Sequence, residues 1–392
     1  MSAVPTVPLG EIMPPKSGSV DPSRFPDEIF DLYSVPAFDR GKPDVIAGRA
    51  IGSEKQIVQP GDVLLSKIIP HIRRCWVVGK ERGRRMIASS EWIVFRDDRI
   101  YADYLRHVLV GNYFHAQFMQ TVSGVGGSLL RARASFVAGI EIPVPPLCEQ
   151  HRVAGQLEQA DRLRRARRYA LELSDTFLPA AFLELFGDLE HKGRRWRVRE
   201  LREIAVIASG IAKGQKYGNR ETREVPYLRV ANVQDGYLDL SEIKMIQALA
   251  EDIEHLRLQQ DDIVMTEGGD FDKLGRGAIW PGGVKDCIHQ NHIFRVRLDK
   301  EEVLPEFFAV FLRSPAAKKY FLRCSKQTTN LASINMSQLR ATPVAVPPLP
   351  LQEQFALLVA RHERLRTVQR ESLRQAEHLF QSLLHRAFSG EI

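Results

Sequence analysis

The residues able to do chemistry fall into a few small groups. Cys287, His289 and His292 lie together in the run CIHQNH, and thiol and imidazole are ligands that zinc takes. A closed tetrahedral site needs a fourth donor at suitable spacing. The flanking sequence supplies none, so no metal site is expected. Pro43-Asp44 begins like the metal-dependent nuclease pattern PD…ExK, but Glu54-Lys55-Gln56 sets the lysine beside the glutamate rather than one residue beyond it. There is no GxSxG elbow to expose a serine nucleophile and no GxxxxGK[ST] loop to cradle a nucleotide phosphate. A base methyltransferase would need a glycine-rich cofactor loop and an Asn-Pro-Pro-Tyr or Pro-Cys motif. The Pro-Pro pairs at 14–15, 145–146 and 347–348 have other neighbours. The chain reads as one that binds rather than catalyses.

Binding chemistry is present. Residues 61–90 carry Lys67, Arg73, Arg74, Lys80, Arg82, Arg84 and Arg85. A second run, Lys213, Lys216, Arg220, Arg223 and Arg229, lies in the other half of the chain, with the amides Asn232, Gln234, Gln327 and Asn330. Lys and Arg hold phosphates, and Arg, Asn and Gln also read base edges in the major groove. The overall surplus is modest, 55 Lys and Arg against 48 Asp and Glu, and a basic face is often merely solvated. Two clusters at matching places in two halves tip the reading toward DNA. The four cysteines, Cys75, Cys148, Cys287 and Cys324, form no CxxC pair, which suits a reducing cytoplasm. No run approaches the ~20 apolar residues of a membrane helix, and the N-terminal stretch has no apolar signal core.

The elements that must carry these residues are doubled. Residues 143–150 (PVPPLCEQ) and 346–354 (VPPLPLQEQ) each join Pro-Pro-Leu to Glu-Gln, and their glutamates, Glu149 and Glu353, are 204 residues apart. Weaker matches keep the same order. LGEI at 9–12 resembles LREI at 201–204, DVLLS at 62–66 resembles DIVMT at 262–266, DYL at 103–105 resembles EFF at 306–308, and Ser135 resembles Ser337. The separations grow from 192 to 204 with a single step back, as small insertions in the second copy would produce, whereas chance similarity would scatter them. Each copy has short apolar strands (62–69 and 92–95; 227–230 and 262–265), helical stretches (101–121; 305–323) and glycine-rich punctuation such as SGVGGS at 123–128. This is an α+β pattern without regular strand–helix alternation. After each Pro-Pro pair, apolar residues recur at steps of three and four, giving amphipathic helices of roughly 35–38 residues, ~50–57 Å long. Pro179 should kink or end the first one early, and Gly187 and Gly390 fit C-terminal stops. The two apolar stripes are expected to cover one another, antiparallel about a pseudo-two-fold axis, more than to cap their own domains.

In these motifs the chain resembles the specificity subunit of type I restriction-modification enzymes. The resemblance rests on the doubled Val-Pro-Pro-Leu…Glu-Gln motif, the ending AFSGE at 387–391, Phe186-Gly187-Asp188, Trp196, LREIAVIASG at 201–210, VPYLRVANVQDG at 225–236 and GDVLLS at 61–66. It implies tandem target recognition domains joined by two long helices that pack as an antiparallel coiled coil: domain 1–147, helix 148–190, domain 191–349, helix 350–392. It also implies that each domain reads half of a split DNA target and that the helices measure the unread gap. The helices, opened by Glu149-Gln150 and Glu353-Gln354, would dock two modification subunits. S-adenosylmethionine would belong to those subunits and ATP with Mg2+ to two motor-nuclease subunits, with no cofactor or catalytic residue in this chain. One departure stands out. The first domain matches VPYLRVANVQDG only through the degenerate IFDLYSVPAFDRG at 29–41. The competing readings are a stand-alone nuclease and a scaffold whose domains do not touch DNA.

Overall fold

The computed structural model describes residues 4–14, 18–123, 130–189, 196–271, 274–327 and 332–388. Most of the SGVGGS run, Asn330 and Gly390 lie outside them. The chain forms two compact units, Met1–Arg168 with Glu371–Ile392, and Tyr169–Arg370. Among the described residues no helix is long and apolar enough to cross a membrane.

The first unit is built around the strand Val63–Ser66. It lies between Cys75–Val77 and Trp92–Phe95, antiparallel to both. All four of its residues are buried. Val63 and Leu65 face a core of helix residues, while Leu64 faces Tyr33, Trp92 and Val94. A strand covered on both faces needs an apolar run, and this is why DVLLS shows no polar alternation. A second sheet orders Ser19–Val20, Lys55–Ile57, Arg85–Ala88, Ile29–Tyr33 and Asp44–Ala47. Its Ile29–Tyr33 strand runs parallel to Arg85–Ala88 and antiparallel to Asp44–Ala47.

The second unit repeats this plan. Ile263–Thr266 lies between Gly277–Ile279 and Ile293–Leu298, again antiparallel and again buried on both faces. Arg223–Leu228 runs parallel to Ile288–His289 and antiparallel to Lys244–Ala248. IFDLY at 29–33 therefore holds the same topological place as REVPYL at 223–228, although little sequence links them.

Two buried devices appear in both copies. The carboxylate of Asp62 accepts from both Nε and Nη2 of Arg96, at 2.6 and 2.7 Å, and from the Gln59 amide at 2.9 Å. Asp262 does the same with Arg297, at 2.8 and 2.8 Å, and with the Gln259 amide at 2.7 Å. The second device launches the long helices. Gln150 is fully buried; its Oε1 accepts from the Tyr101 amide at 2.7 Å, and its Nε2 donates to Arg99 O at 3.0 Å and Pro145 O at 2.8 Å. Gln352 is equally buried; its Oε1 accepts from the Leu304 amide at 2.9 Å, and its Nε2 donates to Glu302 O at 2.9 Å and Pro347 O at 2.7 Å. The partner of Gln150 in the repeat is thus Gln352, not Gln354.

Each predicted head helix is split. Gly111 separates Ala102–Val110 from Asn112–Gln120. Ser314 separates Pro305–Phe311 from Pro315–Cys324, because its Oγ accepts from the Ala317 amide at 3.3 Å and Pro315 starts a new helix. The first long helix, Leu147–Ser174, breaks at Asp175-Thr176 and resumes as Phe177–Phe186. Pro179 has no N–H to return to the Asp175 carbonyl and its ring crowds that carbonyl, which accounts for the break. Leu349–Phe388 is unbroken over 40 residues, ~60 Å at 1.5 Å per residue.

The long helices run antiparallel in each unit. In the first, Arg168 pairs with Glu377 at 2.7 Å and the Arg164 guanidinium lies over the Phe380 ring at 4.2 Å. In the second, Asp175 pairs with Arg366 at 2.6 Å, and Phe182 packs on Phe355 with centroids 5.5 Å apart. Their stripes do not serve only each other, which corrects the expectation from periodicity. Val153, Ala154, Leu157 and Ala160 join the first head's core together with Phe380 and Leu384. Phe182, Phe186 and Phe355 join the second.

Candidate nucleic-acid interface

The structure sorts the basic residues of the first head into two kinds. Arg74 forks onto Asp39, Nε–Oδ1 2.8 Å and Nη2–Oδ2 2.9 Å, and only a tenth of its side chain is exposed. This pairing holds the Asp39 carboxyl below its usual range. Arg84 Nε donates to the buried Asp31 at 2.7 Å. Arg85 pairs with Glu28 at 2.8 Å and lies over the Phe25 ring at 4.7 Å. Arg73 Nη1 donates to Val110 O at 3.1 Å and to Asn112 Oδ1 at 2.7 Å. Each of these four guanidiniums already has a structural partner. Lys67 is half-buried, and burial lowers its pKa, with Glu91 opposing and Arg131 reinforcing the shift. Lys80 and Arg82 are exposed, in the turn between the strands Cys75–Val77 and Arg85–Ala88.

In the second head, Lys213, Lys216 and Arg220 are exposed in the segment that follows the strand Ala205–Ser209. Arg220 reaches Glu251 at 3.5 Å and lies 6.0 Å from the Tyr217 ring centroid. Arg223 pairs with Asp286 at 2.8 Å, and Arg229 with Glu242 at 2.8 Å. The amides divide similarly. Asn232 is buried; its Oδ1 accepts from the Arg229 amide at 2.8 Å, and its Nδ2 donates to Asp239 O at 2.8 Å and Glu242 O at 2.9 Å. That side chain closes a turn, which corrects its reading as an amide free for base edges. Gln234 Nε2 donates to Ala231 O at 2.8 Å from a half-exposed position. Gln327 belongs to the short strand Lys326–Gln327.

The helix-opening residues divide too. Gln150 is spent on its own head, so it has no group left for a partner. Glu149 is ion-paired with Arg152, Nε–Oε2 3.0 Å, which lowers its pKa. Glu353 and Gln354 are exposed. Of the CIHQNH residues, Cys287 is buried with its thiol pushed up to about 12 by desolvation. His289 is buried on Ile293 O at 3.0 Å, and His292 is paired with Glu267 at 2.8 Å.

What sequence reasoning missed is a broad apolar face on the long helices in the second unit. Tyr169, Leu173, Leu365 and Val368 are 66, 57, 63 and 64% exposed. A groove of about 560 Å³ beside them is lined by Ala170, Leu173, Phe177, Leu358 and Leu365. Leu173, Leu365 and Val368 belong to the periodic apolar stripe, but they lie on the part of it that the head cores do not cover.

The two units share one frame, and each exposes a few cations of the kind that suit a nucleic-acid partner. Residues 193–376 match the family model for the type I restriction modification DNA specificity domain. The type I restriction enzyme EcoKI specificity subunit of Escherichia coli (strain K12) is 24% identical over 398 residues, 93% of this chain and 83% of that protein. A putative type I restriction enzyme MjaX specificity subunit of Methanocaldococcus jannaschii is 28% identical over 172 residues, 43% of this chain and 40% of that protein. Two solved structures share the fold. A chain from work on complex assembly and conformational transition of the type I R-M system superposes with TM-score 0.65, over 100% of both chains, at 19% identity. The type I restriction-modification system S subunit from M. genitalium gives 0.56, over 99% of this chain and 97% of that one, at 15% identity. Residues 193–376 thus carry a type I restriction modification DNA specificity domain, and the chain is similar over most of its length to a type I restriction enzyme specificity subunit.

Proposed function

We propose that each head reads one half of a bipartite, asymmetric DNA target, with the long helices setting the unread spacer. The observation that carries this is a repeated frame holding unequal surfaces. The Asp62–Arg96 and Gln150 devices recur as Asp262–Arg297 and Gln352, so the frame is the same twice. Around that frame the heads differ. Ile72, Lys80 and Arg82 are exposed on the first, and Lys213, Lys216, Tyr237 and Phe271 on the second. Equal frames with unequal surfaces suit two different half-sites. Lys80 and Arg82 on one head, and Lys213, Lys216 and Arg220 on the other, are the exposed cations suited to phosphates.

The apolar face of the long helices is the docking surface we assign to methyltransferase subunits. A large exposed apolar patch on a soluble protein marks an interaction site. Two such subunits would bring S-adenosylmethionine and methylate adenine. Two motor-nuclease subunits would use ATP and Mg2+ to translocate and cleave unmodified DNA, all in the cytoplasm. Purified chain tested with plasmid and Mg2+, with and without a methyltransferase subunit, checks the assignment. Sequence-specific binding without cleavage or methylation by the chain alone is expected. Cleavage by the chain alone would restore the nuclease reading, and absence of salt-dependent DNA binding would restore the scaffold.

A further inference from the structure

The connection between the strands Val63–Ser66 and Cys75–Val77 contains two non-glycine residues with positive φ, Ile69 at +47° and Arg73 at +49°. A β-branched side chain is a genuine outlier there, and such a backbone persists only where its surroundings over-determine it. They do so here. The Ile69 amide donates to Leu130 O at 3.2 Å, that of Ile72 to Ile69 O at 3.1 Å, and that of Arg73 to Pro70 O at 3.2 Å. The Arg73 guanidinium is tied to Val110 O and Asn112, and the next residue, Arg74, is forked onto Asp39. Pro70 is buried beneath the turn, while His71 and Ile72 face solvent, Ile72 with 46% of its surface exposed. The helix Asn112–Gln120 packs beside the turn. His115 on that helix is held below its usual pKa, first by burial and then by Arg73 and His71. The equivalent connection of the second head, after Ile263–Thr266, also presents a large apolar side chain, Phe271, 40% exposed.

We propose that this turn enters a DNA groove and that Ile72 reads the C5-methyl group of a thymine in the half-site of the first head. The inference rests on the DNA-reading function proposed above and names the contact. An apolar contact to the thymine methyl is a direct form of base readout. A turn already fixed by this many hydrogen bonds loses little further freedom on docking.

The test uses the full chain with its methyltransferase subunit and a pool of randomised duplexes. Wild type should select a bipartite motif, and Ile72→Ser should lose the preference for thymine at one position of one half-site while the other half-site stays intact. Deoxyuridine at that position removes only the methyl group. It should weaken wild-type binding about tenfold and leave Ile72→Ser unchanged. Ile72→Val should keep most of the wild-type preference. An unchanged motif and an unchanged thymine-to-uracil ratio in Ile72→Ser would overturn the proposal while leaving the DNA-reading function standing. So would an even loss on all sequences, which would make the turn a backbone contact. Failure of the wild type to select any motif would instead overturn the DNA-reading function itself.

Discussion

Replacing Gln150 with Leu tests the repeated frame at its most buried point. The Gln150 amide makes three hydrogen bonds, to the Tyr101 amide and to the carbonyls of Arg99 and Pro145, and the side chain is fully buried. Leucine fills nearly the same volume and leaves one donor and two acceptors without partners. At ~1 kcal/mol per missing bond, with each buried orphan costing ~1–3 kcal/mol less whatever water can reach it, the first unit should lose about 3–4 kcal/mol. Gln354→Leu, on an exposed position of the other helix, should change stability by less than about 0.5 kcal/mol. Gln150→Glu keeps the acceptor for the Tyr101 amide but sets a carboxylate against two carbonyl oxygens, so its folded-state pKa is raised above the ordinary ~4.3. Protonation restores a donor. The deficit of Gln150→Glu should therefore be largest near neutral pH and shrink as pH falls toward that value. Urea unfolding read by hydrogen-exchange mass spectrometry reports each unit separately. A loss below about 1 kcal/mol in Gln150→Leu, or an equal loss in both units, would refute the reasoning.

Three further outcomes follow from the same geometry. Arg297→Met should cost about 3–5 kcal/mol, because it strands the buried Asp262 carboxylate, and Asp262→Asn in the same chain should recover part of that loss; a denaturation series on the two single variants and the double checks it. Burial holds His289 neutral, with its pKa pushed down to about 4, while the unfolded chain titrates near ~6.5. The stabilising preference for the neutral ring is full above ~6.5 and is lost as pH falls from there to about 4, so stability of the second unit measured across that window should decline, and His289→Gln should flatten the slope. Lys213→Ala with Lys216→Ala should lower the salt dependence of DNA binding by roughly 0.9 for each phosphate no longer neutralised, on specific and non-specific duplexes alike, as read by salt-titrated binding.

The duplication was legible in sequence because it is carried by residues that both copies must keep. Asp62 and Asp262 each hold an arginine and close a turn, and the Pro-Pro pairs each receive the amide of a buried glutamine. The register was less legible. Glu-Gln occurs at 149–150 and again at 353–354, so matching that dipeptide sets the copies 204 apart, whereas the buried amides of Gln150 and Gln352 are 202 apart. Aligning Pro146-Leu147 on Pro348-Leu349 gives the correct value, and Ser135 with Ser337 agrees with it. Basic clusters misled for a different reason. Composition places Arg74, Arg84 and Arg85 in a positive run, but their partners Asp39, Asp31 and Glu28 lie 35, 53 and 57 residues away, brought in only by the sheet. Asn232 was ambiguous for the same reason: its amide serves carbonyls that no local pattern reveals. The helix stripe was read correctly as apolar, but periodicity does not say which apolar surface covers it. Part of it closes the head cores, and another part, around Tyr169 and Val368, is left exposed.

The central claim is that one frame, used twice, carries two different reading surfaces. Long-read methylome sequencing of cells expressing this chain with its methyltransferase subunit tests it most directly. Adenine methylation is expected at a single bipartite motif with two different half-sites and an unread spacer of fixed length. A continuous motif, or a palindrome with identical halves, would contradict it.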